Sequence, residues 1–546
     1  MLPVVSGDTL LSQAEQVRTR AADLAVGLSR TARLSATIAQ ERAVLRMLGV
    51  DGLDRAGHPL ATTLAERYCG SDTGRLGRGV LLPFVVAMLE YDMPPHELAL
   101  DGASGAIDLG LEAQLLERPD RLAAAQKRAV VLIKAALARF DANRTATREM
   151  RDVLGQPDEP WLGLDLQATE VTAGVAEARS MIAAGADLIQ VEVPASWEFA
   201  EARRQAGLET PHLFEVQTPQ RARETAAGGR RSKSAPVRPA AEPVPVGSQR
   251  GLASLRKAVD DAAAQRRCYA SLMTVTSAFA APEQAVVAAF ERIDFVGADP
   301  IREIVEDNVD PERTLADHSF AHRLQARAGC NVVIGPGPLA LGEDVATGIP
   351  SDVATRAGCA LALQALGAEL ALADGVPADR LMLGAVPDWA AGDGDAGAFL
   401  LQAWLRRAVF PQHRLVMGGG KGWLNAPGGS AALVAAMSGS SVSLSLEPRG
   451  TGEVRTLATD LAAAAGTARA LRAALGDGNL HGGAVEQASR TLRAAGAVLE
   501  RLSAEGWECL LGPAGHGADG ERLGRSAVVD RADGPTSAER LLARLL

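Results

Sequence analysis

The chain has 546 residues, with 56 Lys and Arg against 66 Asp and Glu, giving a net charge of −10. That balance excludes a broad nucleic-acid surface, because neutralising phosphates needs a concentrated positive field. Hydrophobic residues at 47% exclude a largely disordered chain, and aromatics at only 3% mean that alanine and aliphatic side chains must fill the interior.

Met1 to Gln13 lacks a basic segment followed by an apolar core, and no run approaches the roughly 20 apolar residues of a membrane helix. A cytoplasmic location is expected. The five cysteines, Cys69, Cys268, Cys330, Cys359 and Cys509, form no CxxC pair. They are expected to be reduced and buried, with no zinc knuckle or disulfide framework.

Residues 1–155 read as a helical accessory region, including one long helix from Gln13 to Met47 that ends at Gly49. Gly155 to Pro160 marks a boundary. From Trp161 to Leu446 the chain then alternates strand-length apolar runs with helix-length segments, the runs beginning near Trp161, Leu188, Cys268, Ile293, Val332, Leu381, Leu415 and Val442. Strands joined by helices run parallel, and eight such units close a sheet. The expected fold is an α/β (βα)8 TIM barrel over residues 156–450, with an N-terminal helical layer and a C-terminal helical extension over 451–546. Val171, Val175, Ala178 and Ile182 fall on one face of the first outer helix. Residues 226–247, rich in Ala, Pro and Arg, read as a mobile insertion whose cluster Arg230, Arg231, Lys233 and Arg238 is a solvated linker or a contact for an acidic group. Helices from Leu446 to about Ala474 and from Gly483 to Leu502, then a Gly-rich tail at Gly512–Gly520, complete the chain.

Chemistry in a barrel gathers at the C-terminal ends of the strands. After the seventh strand stands Met417-Gly-Gly-Gly-Lys421-Gly, and Lys421 is one of only five lysines. A lysine among glycines lies on backbone that a ligand can approach, suited to a carboxylate, a phosphate or a Schiff base. It is not a Walker loop. The fifth strand leads through Ile334-Gly-Pro-Gly-Pro338 to Gly342-Glu343-Asp344, and Asp344 is either a ligand for a substrate ammonium or a helix cap. Ser277, after strand three, is a candidate phosphate donor. His318 and His322 have the i, i+4 spacing of a metal pair, but no HExxH glutamate or third ligand accompanies them, so no metal is expected.

Several segments together resemble the large (alpha) subunit of lysine 5,6-aminomutase, which depends on adenosylcobalamin and pyridoxal phosphate. They are Glu41-Arg-Ala-Val-Leu-Arg-Met-Leu-Gly-Val-Asp-Gly52, Ala281-Pro-Glu283, the Arg313-Thr314, Asp317 and Phe320 pattern, Gly342-Glu-Asp344 and Lys421. The resemblance runs from about residue 15 to the tail. It implies a barrel subunit of an isomerase that carries out a radical 1,2-amino shift on an amino acid of the lysine type. A separate small subunit with a DxHxxG motif would carry the cobalamin, in a hetero-oligomer. Lys421 and Asp344 would orient substrate, and Ser277 would contact pyridoxal phosphate. The family's phosphate-binding arginine at strand two falls on Val193, with Ser196 or Glu198 near the family's serine. Its stacking tyrosine falls near Arg302, and a second arginine falls on Asp307. Charge-assisted hydrogen bonds are worth about 1.5–3 kcal/mol each, so these changes weaken the implied coenzyme contacts, and Arg302 is the candidate to restore one. Two other readings are a non-catalytic barrel that docks a cobalamin-carrying partner, and a lyase or aldolase with Lys421 as Schiff-base residue.

Overall fold

The computed structural model describes residues 7–54, 59–70, 72–191, 244–275, 280–305, 309–335, 353–385, 396–419, 436–445, 451–475, 483–507, 510 and 531–545. The helical layer begins with α1 (Gly7–Ala32), a short strand β1 (Ser35–Thr37) and α2 (Ile38–Met47). The expected single helix from Gln13 to Met47 is therefore two. The break has a local cause: Thr37 Oγ1 accepts from the Gln40 amide while the Gln40 side chain accepts from the Thr37 amide, a capping box that starts a new helix. Gly49, at φ +95°, provides the expected left-handed exit. Then come α3 (Leu60–Cys69), α4 (Thr73–Arg78), α5 (Leu81–Tyr91), α6 (Pro95–Ser104), α7 (Leu109–Glu112) and the long α8 (Pro119–Leu154).

The barrel follows in the expected alternation: β2 (Trp161–Asp165), α9 (Val171–Ala184), β3 (Leu188–Val191), α10 (Gln249–Arg266), β4 (Ser271–Val275), α11 (Ala281–Phe290) and β5 (Phe295–Ala298). Next are α12 (Pro300–Val305), α13 (Pro311–Ala328), β6 (Asn331–Ile334), α14 (Val353–Ala373), β7 (Leu381–Ala385), α15 (Ala396–Val409), β8 (Arg414–Gly419) and β9 (Val442–Ser445). Every neighbouring pair is parallel and β9 closes on β2, so this is a (βα)8 barrel. Large side chains from all eight strands fill the lumen: Trp161, Leu188, Met273, Phe295, Val333, Met382, Val416, and both Val442 and Leu444. Alternate residues such as Leu162, Ile189, Leu272 and Val296 face outward onto the helices.

Beyond the barrel lie α16 (Thr451–Leu475), α17 (Gly483–Glu505), β10 (Arg531–Asp533) and α18 (Ser537–Leu545). The last two were not expected. β10 pairs antiparallel with β1, returning the C-terminal segment to the N-terminal layer. Two further expectations change. Cys268 is only half-buried, whereas Cys69, Cys330 and Cys359 are buried thiols. Val244 and Val246 exchange backbone hydrogen bonds with Val171 and Thr169, so the expected insertion ends before Gly247. Cys509, the basic cluster at 230–238 and Gly512–Gly520 lie outside the described residues. Among the described residues one helix, Ala354–Ala373, is long and apolar enough to cross a membrane, and 78% of its apolar window is buried within the protein.

Candidate functional site at the barrel mouth

Above the lumen's apolar layer the strand ends become polar or lose their side chains. Asp165 and Gln190 are register partners on β2 and β3. Gln190 Nε2 donates to Asp165 Oδ1 at 3.3 Å and Gln167 Nε2 donates to Asp165 Oδ2 at 3.0 Å, so both carboxylate oxygens are held by amides. Across the barrel, Asp299 follows β5. Its Oδ1 accepts from the Arg302 amide at 3.1 Å and so caps α12. A Cβ on Gly335 would lie 2.2 Å from Asp299 Oδ2, so the Asp299 side chain occupies the space that a side chain at the end of β6 would take. Asp165 and Asp299 are 7% and 8% exposed.

The strand ends are anchored from behind. Gln364 Nε2, on α14, donates to the carbonyls of Gly335 at 2.8 Å and Gly384 at 2.7 Å, joining the ends of β6 and β7. Arg406 Nε, on α15, donates to the same Gly384 carbonyl at 3.1 Å, and burial pushes its guanidinium down to about 10. Glu303, on α12, meets His318 Nε2 at 3.0 Å. Burial opposes a charged imidazole there, but Glu303, with Asp317 and Asp299 behind it, raises His318 above the usual histidine range. His322 takes a different partner, Asp374 Oδ2 at 3.0 Å, and burial holds it below the usual range. The neutral ring thus donates to a carboxylate that the Ser29 and Ser319 hydroxyls also bind. The two histidines therefore serve separate carboxylates, and among the described residues no group of three His, Cys, Asp or Glu side chains is arranged to hold a metal ion.

Of the six site residues expected from the sequence, Arg302 is described, partly buried on the first turn of α12 at the mouth. Lys421, Asp344, Ser277, Ser196 and Glu198 lie outside the described residues. Asp165, Gln190 and Asp299 were not singled out from the sequence. Their signal was available in the polar residue that ends each apolar strand run.

The other motifs meet elsewhere. Arg42 Nε and Arg46 Nε, on α2, each donate at 2.9 Å to one oxygen of Glu283 on α11, and all three side chains are at most 3% exposed. Thr37 Oγ1 donates to Asp317 on α13, which Arg313 approaches at 3.7 Å. Burial pushes Asp317 up, against the pull of Arg313. Glu41, between the Val80 amide and the C-terminal Thr536, is pushed up to about 7 by burial. These motifs form the junction between helical layer and barrel.

A family model described as the D-lysine 5,6-aminomutase TIM-barrel domain of the alpha subunit matches residues 10–195 and 246–418, more than half of the chain. The chain belongs to this family. The match to the lysine 5,6-aminomutase barrel covers Ser277, Arg302 and Asp344, skips the interval holding Ser196 and Glu198, and stops just before Lys421. The chain is 25% identical over 380 residues to the lysine 5,6-aminomutase alpha subunit of Fusobacterium nucleatum, covering 69% of this chain and 64% of that protein. It is 24% identical over 399 residues to that of Acetoanaerobium sticklandii, covering 73% and 68%. The chain thus spans about two thirds of the length of these aminomutase subunits. Among solved structures, dihydropteroate synthase from Anaplasma phagocytophilum aligns with 56% of this chain and 98% of its own, at 13% identity and a TM-score of 0.34.

Proposed function

We propose that this chain is the barrel subunit of a cobalamin-dependent aminomutase-like isomerase that moves an amino group between adjacent carbons of an amino acid. Family membership supports the isomerase class. The observation that carries the substrate reading is the pair of nearly buried carboxylates at the mouth, Asp165 on β2 and Asp299 after β5. They stand on strands three places apart in an eight-strand ring, so they suit a substrate with an ammonium at either end, as in an amino acid of the lysine type. Asp165, fixed by two side-chain amides, would bind and orient one ammonium, and Asp299, packed over Gly335, the other.

Of the residues proposed to contact pyridoxal phosphate, Ser277, Arg302, Ser196 and Glu198, the described one is Arg302. Among the described residues at the strand ends and the turns directly after them, Arg302 is the one cation beside Asp165 and Asp299, a balance that suits a substrate amine. Adenosylcobalamin, carried by a separate small subunit with a DxHxxG motif, would supply the initiating radical. The barrel's part is to hold the substrate and exclude water around it. Lys421, Asp344, Ser277, Ser196 and Glu198 remain proposed mouth residues, and a cytoplasmic hetero-oligomer belongs to the same reading.

Co-expression with a DxHxxG-bearing partner, followed by nuclear magnetic resonance of an amino acid carrying an isotope-labelled amino nitrogen, tests this. The label is expected on the neighbouring carbon. A partner that binds while the label stays in place for every amino acid would instead select the docking-barrel reading.

A further inference from the structure

The opposite face of the barrel carries a second feature. A cleft of about 440 Å³ lies between the end of α8 and the turns that enter β5 and β6, and its charged lining is five arginines, Arg144, Arg148, Arg151, Arg292 and Arg380, against two aspartates, Asp152 and Asp294. It shares Arg151, Gln156 and Arg380 with a smaller cleft of about 290 Å³, which adds Arg414 and the first residues of β2, β6 and β7, Trp161, Asn331 and Leu381. Both therefore open at the N-terminal end of the strands, away from the mouth.

The arginines outnumber the carboxylates that serve them. Asp294 is shared by Arg151 at 2.6 Å and Arg256 at 2.9 Å, and it also takes the Tyr269 hydroxyl. Asp260 is shared by Arg256 and by Arg292 at 2.8 Å. Asp141 is shared by Arg327 at 2.6 Å and Arg144 at 3.6 Å. Arg380 donates to the Gly329 carbonyl at 2.9 Å, and its nearest carboxylate, Asp379, is 4.0 Å away. Burial and the neighbouring Arg151 hold Arg380 below the usual arginine range, as expected where positive charge is not fully offset. Arg148 is exposed at the rim. In a chain of net charge −10, this is a local concentration of guanidinium forks, with Thr147 and Asn143 beside them.

We propose that this cleft is a binding site for a compact polyanion bearing two or more phosphate groups, separate from the barrel mouth. The planar forks of arginine pair with phosphate oxygens two at a time, and the volume exceeds a single phosphate while matching small-ligand sites. The site does not depend on the aminomutase reading, and its occupant would act at a distance from the chemistry.

Titration calorimetry of the full chain with inorganic pyrophosphate, at ionic strength held constant with sodium chloride, tests it. Saturable binding at one site per chain is expected. Arg148→Glu, at an exposed rim position, should weaken it at least tenfold, whereas Arg118→Glu, at the far end of α8, should leave it unchanged. No saturable heat, equal affinity in Arg148→Glu, or equal loss in Arg118→Glu would each overturn the proposal. Circular dichroism confirms that each variant is folded.

Discussion

Glu283 receives Arg42 and Arg46, one on each carboxylate oxygen, with all three side chains essentially out of water. Removing one member of such a group leaves uncompensated buried charge, so Glu283→Ala is expected to cost about 3–5 kcal/mol in urea denaturation. Glu41 behaves differently. Burial raises it from 4.5 to about 7, so the folded state holds its proton more tightly than the unfolded state. Its cost to stability is absent below pH 4.5, grows as pH rises and is complete above pH 7, on the order of 3 kcal/mol. Glu41→Gln should therefore raise the melting temperature more at pH 8 than at pH 5. A constant difference would show that Glu41 does not titrate in this range. At the mouth, Asp165→Asn keeps the shape and removes the charge but keeps only one of the two acceptor oxygens, and it should raise the substrate KM at least tenfold in a protein that circular dichroism shows to be folded. Asp165 and Asp299 were legible only as strand-end carboxylates, because their meaning depends on Gln190 and Gly335, contributed by neighbouring strands.

Packing between helices turns on small residues that a linear pattern does not distinguish. Gly358 on α14 faces α17, where an added Cβ would lie 2.6 Å from both Ala494 Cβ and the Thr491 carbonyl oxygen. Gly358→Leu should force these helices apart and cost about 1–3 kcal/mol, measured as a shift in the denaturation midpoint at unchanged slope. The barrel strands were legible because buried apolar runs between helix-length segments have a strong signature, although β4 begins at Ser271 rather than at Cys268. The Gln13–Met47 segment was misread because its apolar pattern runs on through Leu34 and Ile38, while Thr37 and Gln40 impose a new start. β1 and β10 are three residues each and pair across almost the whole chain. Three residues carry no period to read.

At the scale of the molecule, the motifs of the resemblance divide into two sets. Arg42, Arg46, Glu283, Arg313 and Asp317 tie the helical layer to α11 and α13, while Gly342–Asp344 and Lys421 lie outside the described residues. From that junction a buried polar path continues through His318 and Glu303 to α12, whose first turn Asp299 caps at the mouth. The helical layer thus positions one side of the candidate site. In the function we propose, this mouth presents an amino acid to cobalamin chemistry brought by a second subunit. Its most direct test is the anaerobic absorption spectrum of the chain reconstituted with its DxHxxG partner and adenosylcobalamin, titrated with lysine-type amino acids. Loss of the cobalt–carbon band is expected on adding substrate, weakened in Asp165→Asn; a band unchanged by every amino acid in a complex shown to be assembled would contradict the proposed function.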